Sequence, residues 1–367
     1  SMFEEREITD LMRSPSKEDI ALVAKAYAFG KEAHKDHKRF SGEPYFVHLF
    51  ETAKELARLG MGARTIAAGL LHDSIEDAAI APEIIEKEFG KDVLFLVEGV
   101  TKLGHLKYRG VERHRESLRK LFVATSQDIR VLIIKLMDRL HNMRTLQFVP
   151  ERKRKRIAEE TIEVFAPLAH RLGMGLVRRE LEDLAFPYVN PNEHKKTQEL
   201  LKQKSRELLV DLESLNKSLK RELGKAGMTG FRSDFRVKGL YSLFRKLARK
   251  EGDIEKVYDV SALRVIVKNV ADCYQVLGII HAHWRPLPGK IKDYIAFPKP
   301  NGYQSLHTTV FTGKGSIVEI QIRTEQMHRE AEYGIASHAL YKEGVDGKRS
   351  PQGKISNLEW LGQFLPR

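Results

Sequence analysis

The chain has 367 residues, 42% hydrophobic and 31% charged, with 63 Lys and Arg against 50 Asp and Glu for a net charge of +13. This length exceeds what one hydrophobic core usually supports, so two domains are expected, and the composition reads as soluble and globular. No run approaches the ~18 apolar residues of a membrane span, since even Val131 to Met137 is broken by Lys135. The lone Cys273 excludes an internal disulfide framework and suits a reducing cytosol. The N-terminus has no charged-then-apolar export pattern, and Ser1-Met2 reads as a remnant of tag removal. The positive excess calls for anionic partners, but charge alone does not separate a nucleotide from a polynucleotide.

In chain order, residues from about 17 to 185 carry helical periodicity. Segments 18–38, 44–59, 63–77 and 129–147 read as helices, the second opened by Pro44 at a favoured first-turn position. The expected first domain, 1–190, is an all-α bundle. Pro187, Asn190 and Pro191 punctuate the chain. A long charged helix over about 193–224 follows, with Leu201, Leu208, Leu212, Leu215 and Leu219 at three- and four-residue steps. That spacing predicts an amphipathic helix packed on a neighbour, and it is too short for a coiled-coil seam. After Gly227 the β-branched stretches 235–240, 260–267, 305–312 and 316–323 predict strands, separated by helices 241–250, 272–283 and 325–341. The expected plan is 1–190, a linker helix region 191–228, a mixed α/β domain 229–345, and a tail 346–367. Residues 344–353 are polar and glycine-bearing and read as mobile.

One constellation lies in the helical half. His72-Asp73 ends an apolar helix and is followed by Glu76-Asp77. Residues four apart on a helix share a face, which sets His72 over Glu76 and Asp73 over Asp77. Such a group of ionisable side chains is unfavourable to bury without a cation. His48 comes from the preceding helix and Asp138 from a later one. A lone His-Asp pair is common at surfaces and caps. Two imidazoles and two carboxylates from three helices are far more specific, and they suit manganese or iron better than magnesium.

This joint pattern resembles the HD phosphohydrolase superfamily. With RFSGEPYFVH (39–48), LLHDSIEDA (70–78), TKL (101–103) and KLMDRLHNMRTL (135–146), it resembles the hydrolase domain of the long RelA/SpoT family. In that family the domain removes the 3′-pyrophosphate of ppGpp and pppGpp with manganese. The resemblance implies His48, His72, Asp73 and Asp138 as ligands and Glu76 and Asp77 as the pair acting on the attacking water. It places Arg39, Asn142 and Thr145 around the nucleotide. The HD and ED pairs are intact, so an active hydrolase is expected. One departure is Phe40, where family members often carry a polar or basic residue.

A second constellation lies among the strands. Asp259 opens one strand and Glu319 lies within another. Alternation puts Glu319, Gln321 and Arg323 on one face and Val318, Ile320 and Ile322 on the other. Carboxylates on neighbouring strands can hold magnesium between a triphosphate and an attacking hydroxyl. Arg236, Lys238, Arg264, Lys292, Lys299 and Arg323 supply charge for phosphates. FRVKGLYSLFRK (235–246), YDVSALRVIV (258–267), KIKDYIAFPKPNGYQSLHTTV (290–310), VEIQIRTEQMH (318–328) and AEYGIASHALYKEG (331–344) resemble the synthetase domain of the same family. That domain is a mixed-sheet, nucleotidyltransferase-like fold which moves the β,γ-pyrophosphate of ATP to the 3′-hydroxyl of GDP or GTP. The resemblance implies Asp259 as the magnesium ligand and Glu319 as the group that activates the 3′-hydroxyl or helps hold the metal. Tyr303 would stack on guanine. Asn301 and His307 would place the acceptor, Arg236, Lys238, Lys246 and Lys299 would bind ATP phosphates, and Arg264 would support the transferring group. The basic Lys290-Ile291-Lys292-Asp293 run matches bifunctional members, although the usual first residue is arginine.

The expectation is therefore a cytoplasmic, bifunctional alarmone enzyme. Its partners are ATP, GDP, GTP and (p)ppGpp, its metals Mn2+ and Mg2+, and it has no DNA or membrane partner. Opposed activities in one chain would waste ATP, so mutual exclusion is expected, with 150–225 as the coupling segment. Full-length family members bind ribosomes through regions C-terminal to these domains, and the chain reads as the catalytic part of such a protein. Two other readings are weaker. A tRNA end-repair polymerase needs a Gly-Ser start and paired acidic residues on one strand, which VSALRV does not supply. A non-catalytic RNA-binding module would not need both carboxylate sets.

Overall fold

The computed structural model describes residues 2–105 and 128–339. By chain contacts these fall into two compact units. One runs to Arg171, with Ile335 and the described residues after it grouped with it, and the other runs from Leu172 to Gly334. The expected tail and the end of the expected helix 325–341 lie outside the described residues.

The first unit is helical, as the periodicity requires. Helix α1 (Met2–Thr9) and α2 (Lys17–Ala33) lead to α3 (Phe46–Arg58), α4 (Ala63–Leu71) and the short α5 (Ser74–Asp77). Then come α6 (Pro82–Phe89), α7 (Lys91–Gly104) and α8 (Ile129–Arg144). Helices α9 (Glu151–Glu160) and α10 (Ala166–Arg171) follow, joined by one π-helical turn over Thr161–Phe165. Helix α4 is the hub: nearly every residue in it is buried, and it packs on α2, α3, α7 and α8. An all-round apolar helix has no other stable place than the centre of a bundle. Gly30 allows the α2–α4 approach, since a Cβ there would stand 2.8 Å from the Leu70 carbonyl oxygen.

The expected helix 63–77 is interrupted. It stops at Leu71, His72 caps it, and a separate turn begins after Asp73, whose backbone (φ −102, ψ 1) leaves the helical region. The break lets His72 and Asp73 both turn inward, which the four-residue stacking rule for one continuous helix does not describe.

The second unit is a five-stranded sheet with helices. Helix α11 (Gly175–Val189) runs through Pro187 and ends two residues later, and α12 (Pro191–Lys225) starts with Pro191 in its first turn. Strand β1 (Arg232–Val237), α13 (Leu240–Arg249), β2 (Ser261–Val267) and α14 (Val270–His283) follow. The unit closes with β3 (Lys292–Asp293), β4 (Leu306–Phe311), β5 (Ile317–Thr324) and α15 (Glu325–Tyr333). The strand order is β1-β2-β5-β4-β3, with β2 and β5 parallel and every other pair antiparallel.

Each face of the sheet has one character. Leu263, Val265, Val318, Ile320 and Ile322 bury against Leu208, Leu212, Leu215, Leu219 and Leu223 of α12 and against α13 and α14. The leucine-bearing helix is thus part of this core, the amphipathic role its spacing predicts. Helix α11, which the expected division at 190 assigned to the first domain, packs on α12, α13 and α15. Its Phe186 ring sits 5.0 Å from that of Phe244 and 5.3 Å from that of Tyr241. A helix joins whichever core takes its apolar side, and the proline punctuation near 190 marks a turn inside the second unit.

Candidate functional site

In the helical unit, α3 contributes His48, the α4–α5 break contributes His72 and Asp73, and α8 contributes Asp138. One ligand atom from each lies within 4.8 Å of the others. His48, His72 and Asp138 are buried. Nε2 of His48 is 2.6 Å from Oδ1 of Asp138, and Nε2 of His72 is 3.2 Å from the same oxygen and 3.3 Å from Oδ2 of Asp73. Packing two carboxylates and two imidazoles this closely, three of the four buried, fits a divalent cation of nitrogen-and-oxygen preference.

The electrostatics agree. Burial alone would push His72 down, but Asp73 and Asp138 outweigh it and raise it to about 9. Burial would raise Asp138, yet Lys135, His48 and His72 hold it well below the carboxylate range. Lys135 donates to Oδ2 of Asp138 at 3.0 Å, Tyr45 donates to Asp73, and Nδ1 of His72 donates to the Gly69 carbonyl at 2.6 Å. That last bond fixes the proton on Nδ1 of His72 and turns Nε2 toward the cluster. Outer partners of this kind orient metal ligands.

Glu76 and Asp77 sit at the rim. Burial first, then Asp73 and Glu76, raise the Asp77 carboxyl. Glu76 pairs with His105 at the end of α7, instead of stacking on His72. The three residues expected around the nucleotide do meet: Nη2 of Arg39 donates to Oδ1 of Asn142 and to Oγ1 of Thr145, both at 3.1 Å. Phe40 turns outward, 65% exposed, with Lys153 Nζ 5.8 Å from its ring centre. Sequence reasoning passed over His141, although it stands one helical turn after Asp138. Its Nδ1 lies 2.8 Å from that of His48 and 3.3 Å from Nη1 of Arg39. Burial, then His48 and Arg39, push it down to about 3.

In the second unit the register lines polar residues across the sheet face opposite the leucines. Asp234, Arg264, Gln321, His307 and Lys292 pair in one row, and Arg236, Ala262, Glu319 and Thr309 in the next. Asp259 precedes β2. Its Oδ2 accepts from Lys238 and its Oδ1 from Lys246, each at 2.9 Å. Burial would raise its carboxyl, but the two lysines hold it below the usual range. Glu319 moves the opposite way: burial, then the charge of Asp259, raises it. Gln321 donates to Glu319 at 2.8 Å, and Arg323 donates to Gln321. This chain of bonds along alternate residues is the face that the pattern 316–323 predicts.

Tyr303 bonds His307 Nε2 at 2.7 Å, with Lys299 Nζ 5.2 Å and the Arg323 guanidinium 5.6 Å from its ring centre. Burial, then Arg323 and Lys299, push His307 down to about 3. Arg264 forks onto Asp234 at 2.9 and 2.8 Å. Asn301 accepts from the Tyr303 backbone at 3.2 Å and so shapes the turn before it. Lys292 is exposed at the far edge of the row. Arg179 of α11 was not anticipated. Burial, then Arg236, lower it, and its Cγ lies 3.1 Å from where a Cβ on Gly239 would stand. Nothing in its local sequence marks it, because the topology of α11 brings it there.

Comparison with known proteins agrees with this division. Residues 26–175 match the model described as an HD domain, and residues 235–346 match the region found in RelA / SpoT proteins. The chain is 49% identical over 323 residues to a guanosine-3′,5′-bis(diphosphate) 3′-pyrophosphohydrolase of Aquifex aeolicus, covering 88% of this chain and 46% of that protein. It is 43% identical over 351 residues to a GTP pyrophosphokinase of Myxococcus xanthus, covering 95% and 46%. It is 42% identical over 350 residues to the bifunctional (p)ppGpp synthase/hydrolase SpoT of Escherichia coli, covering 95% and 49%. The chain therefore spans about half the length of these relatives.

Proposed function

We propose, from the premise that the chain belongs to the RelA/SpoT family, that it is a cytoplasmic enzyme which both makes and removes (p)ppGpp. The synthetase site would transfer the β,γ-pyrophosphate of ATP to the 3′-hydroxyl of GDP or GTP and release AMP. The hydrolase site would return GDP or GTP and pyrophosphate. The observation that carries this reading is the coexistence of a converged His48-His72-Asp73-Asp138 cluster in one unit with the Asp259–Glu319 sheet face in the other.

His48, His72, Asp73 and Asp138 would hold manganese, which when bound supplies Lewis acidity and activation of water near neutral pH. Asp77, its proton affinity raised, is suited to take and return a proton, and Glu76 orients the attacking water. Arg39, Asn142 and Thr145 form one bonded patch that would hold the nucleotide beside the cluster.

In the synthetase site Asp259 would hold magnesium together with nucleotide oxygens, the donor type that ion prefers. Lys238 and Lys246, now on Asp259, would turn to ATP phosphates with Arg236 and Lys299. Arg264 would steady the transferring group, and Lys292 would add charge at the open edge. Glu319, raised in proton affinity, would accept the proton of the 3′-hydroxyl. Tyr303 would stack on guanine, with Asn301 and His307 fixing its turn and its hydroxyl.

Two opposed reactions running together would only consume ATP, so the two activities alternate. The test is incubation of the purified chain with ppGpp and Mn2+, beside a chelated control, and separately with ATP, GDP and Mg2+. Release of pyrophosphate and GDP that chelation stops, together with formation of ppGpp and AMP, is expected. A folded chain inactive in both assays would overturn the reading.

A further inference from the structure

We propose that His141 is the residue that positions His48 for the metal, through hydrogen bonds that begin at Arg39. The inference rests on reading the four-residue cluster as a metal site. A guanidinium only donates hydrogen bonds. Its Nη1 lies 3.3 Å from Nδ1 of His141, so that nitrogen is an acceptor and the ring carries its proton on Nε2. The same Nδ1 lies 2.8 Å from Nδ1 of His48. Two imidazole nitrogens at that distance share one proton, which therefore belongs to His48. A neutral imidazole with its proton on Nδ1 has its lone pair on Nε2. In His48 this is the atom inside the cluster, 2.6 Å from Oδ1 of Asp138, so with a cation bound in place of a shared proton it is the ligand nitrogen.

The arrangement completes a set. Gly69 orients His72, Tyr45 holds Asp73, and Lys135 holds Asp138. His48 has His141, one turn along α8 from Asp138, so α8 supplies one ligand and sets the tautomer of another. Both rings are buried, 5.0 Å apart with planes tilted by 35°, which leaves little room for another orientation. The group that starts the relay is also the one expected to grip the nucleotide, since Arg39 bonds Asn142 and Thr145 through its other terminal nitrogen.

The experiment is Mn2+ binding to the metal-stripped full chain, followed by the electron paramagnetic resonance of the free ion. His141→Leu keeps an apolar filling but no acceptor, and His141→Asn keeps an acceptor near the Nδ1 position. The leucine variant is expected to lose about 10–100-fold in Mn2+ affinity and the asparagine variant to stay within about threefold of the parent, as for other partners of metal-bound histidines. Equal affinity in parent and His141→Leu, or equal losses in both variants, would overturn the inference and leave the metal site standing. A parent chain that does not bind Mn2+ would remove the metal-site reading itself. A second measurement needs no variant: nitrogen NMR of the Zn2+-loaded parent should find Nδ1 protonated in His48 and unprotonated in His141. The reverse pattern would refute the relay.

Discussion

Replacing Asp259 by alanine separates the electrostatics of the second unit from its chemistry. The carboxylate accepts charged hydrogen bonds from Lys238 and Lys246, each at 2.9 Å. The Asp259 and Lys238 side chains are 12% and 13% exposed, whereas Lys246 is 29% exposed. Removing one member of a buried pair leaves the other as an uncompensated charge, at about 3–5 kcal/mol. The more hydrated Lys246 arm adds no more than about 1 kcal/mol. About 3–5 kcal/mol in total is expected. The pH dependence has a fixed sign. Asp259 is depressed in the folded chain, so its contribution is complete above the unfolded value of about 3.9 and disappears as pH falls through the folded value. Urea unfolding of parent and variant should therefore differ equally at pH 7 and pH 5 and converge below about pH 4. Synthesis should be lost and hydrolysis retained. A variant within about 0.5 kcal/mol of the parent at neutral pH, or a difference that widens on acidification, would refute the argument.

Asp73→Ala should abolish Mn2+-dependent hydrolysis and spare synthesis; loss of both in soluble, folded protein would contradict separate sites. Glu319→Gln should cut synthesis by about 10²–10⁴-fold, as for a lost general base. Because the folded state raises this carboxyl, its stabilising contribution is present only at acid pH and is lost as pH rises. The glutamine variant should therefore be more stable than the parent at pH 7, and denaturant titration checks this. Tyr303→Ala should weaken acceptor binding by about 1–3 kcal/mol, the range for an aromatic stacked on a base, read as a higher KM for GDP with that for ATP unchanged. Filling the synthetase site with nucleotide should lower the hydrolysis rate, and an unchanged rate across a full titration would reject mutual exclusion.

The ligand cluster was legible because its chemistry is residue-specific: few buried patterns other than a metal site combine His48, His72-Asp73 and Asp138. The sheet face was legible for a different reason. The period of a strand is two, so Glu319, Gln321 and Arg323 share a side whatever the strand order. What sequence did not give was anything that depends on a break or a crossing. The interruption after Leu71 lets His72 and Asp73 both turn inward, and with it Glu76 meets His105. The strand order follows from packing across the chain. So does the place of α11, whose Phe186 chose the aromatic cluster of α13. His141 was visible as a residue one turn from Asp138, but its role needs the position of α3, which no local spacing encodes.

The two sites differ in the sign of what they lack, and this argues for the assignment independently of any motif. In the helical unit, the carboxylates of Asp73 and Asp138 gather with the rings of His48 and His72, with Lys135 donating to one edge and Asp77 at the rim, its carboxyl raised by burial and by Asp73. Such a pocket is completed by a cation. In the sheet unit the cations Arg179, Arg236, Lys238, Lys246, Lys299 and Arg323 act on one another, and several are lowered by burial and by their neighbours' charge. With Arg264 these seven outnumber Asp183, Asp234, Asp259, Glu319 and Glu332 beside them, so this face suits a polyanion. A nucleotide with several phosphates relieves the second strain, and a metal relieves the first. Under the proposed function, pyrophosphate transfer would belong to the second unit and its reversal to the first.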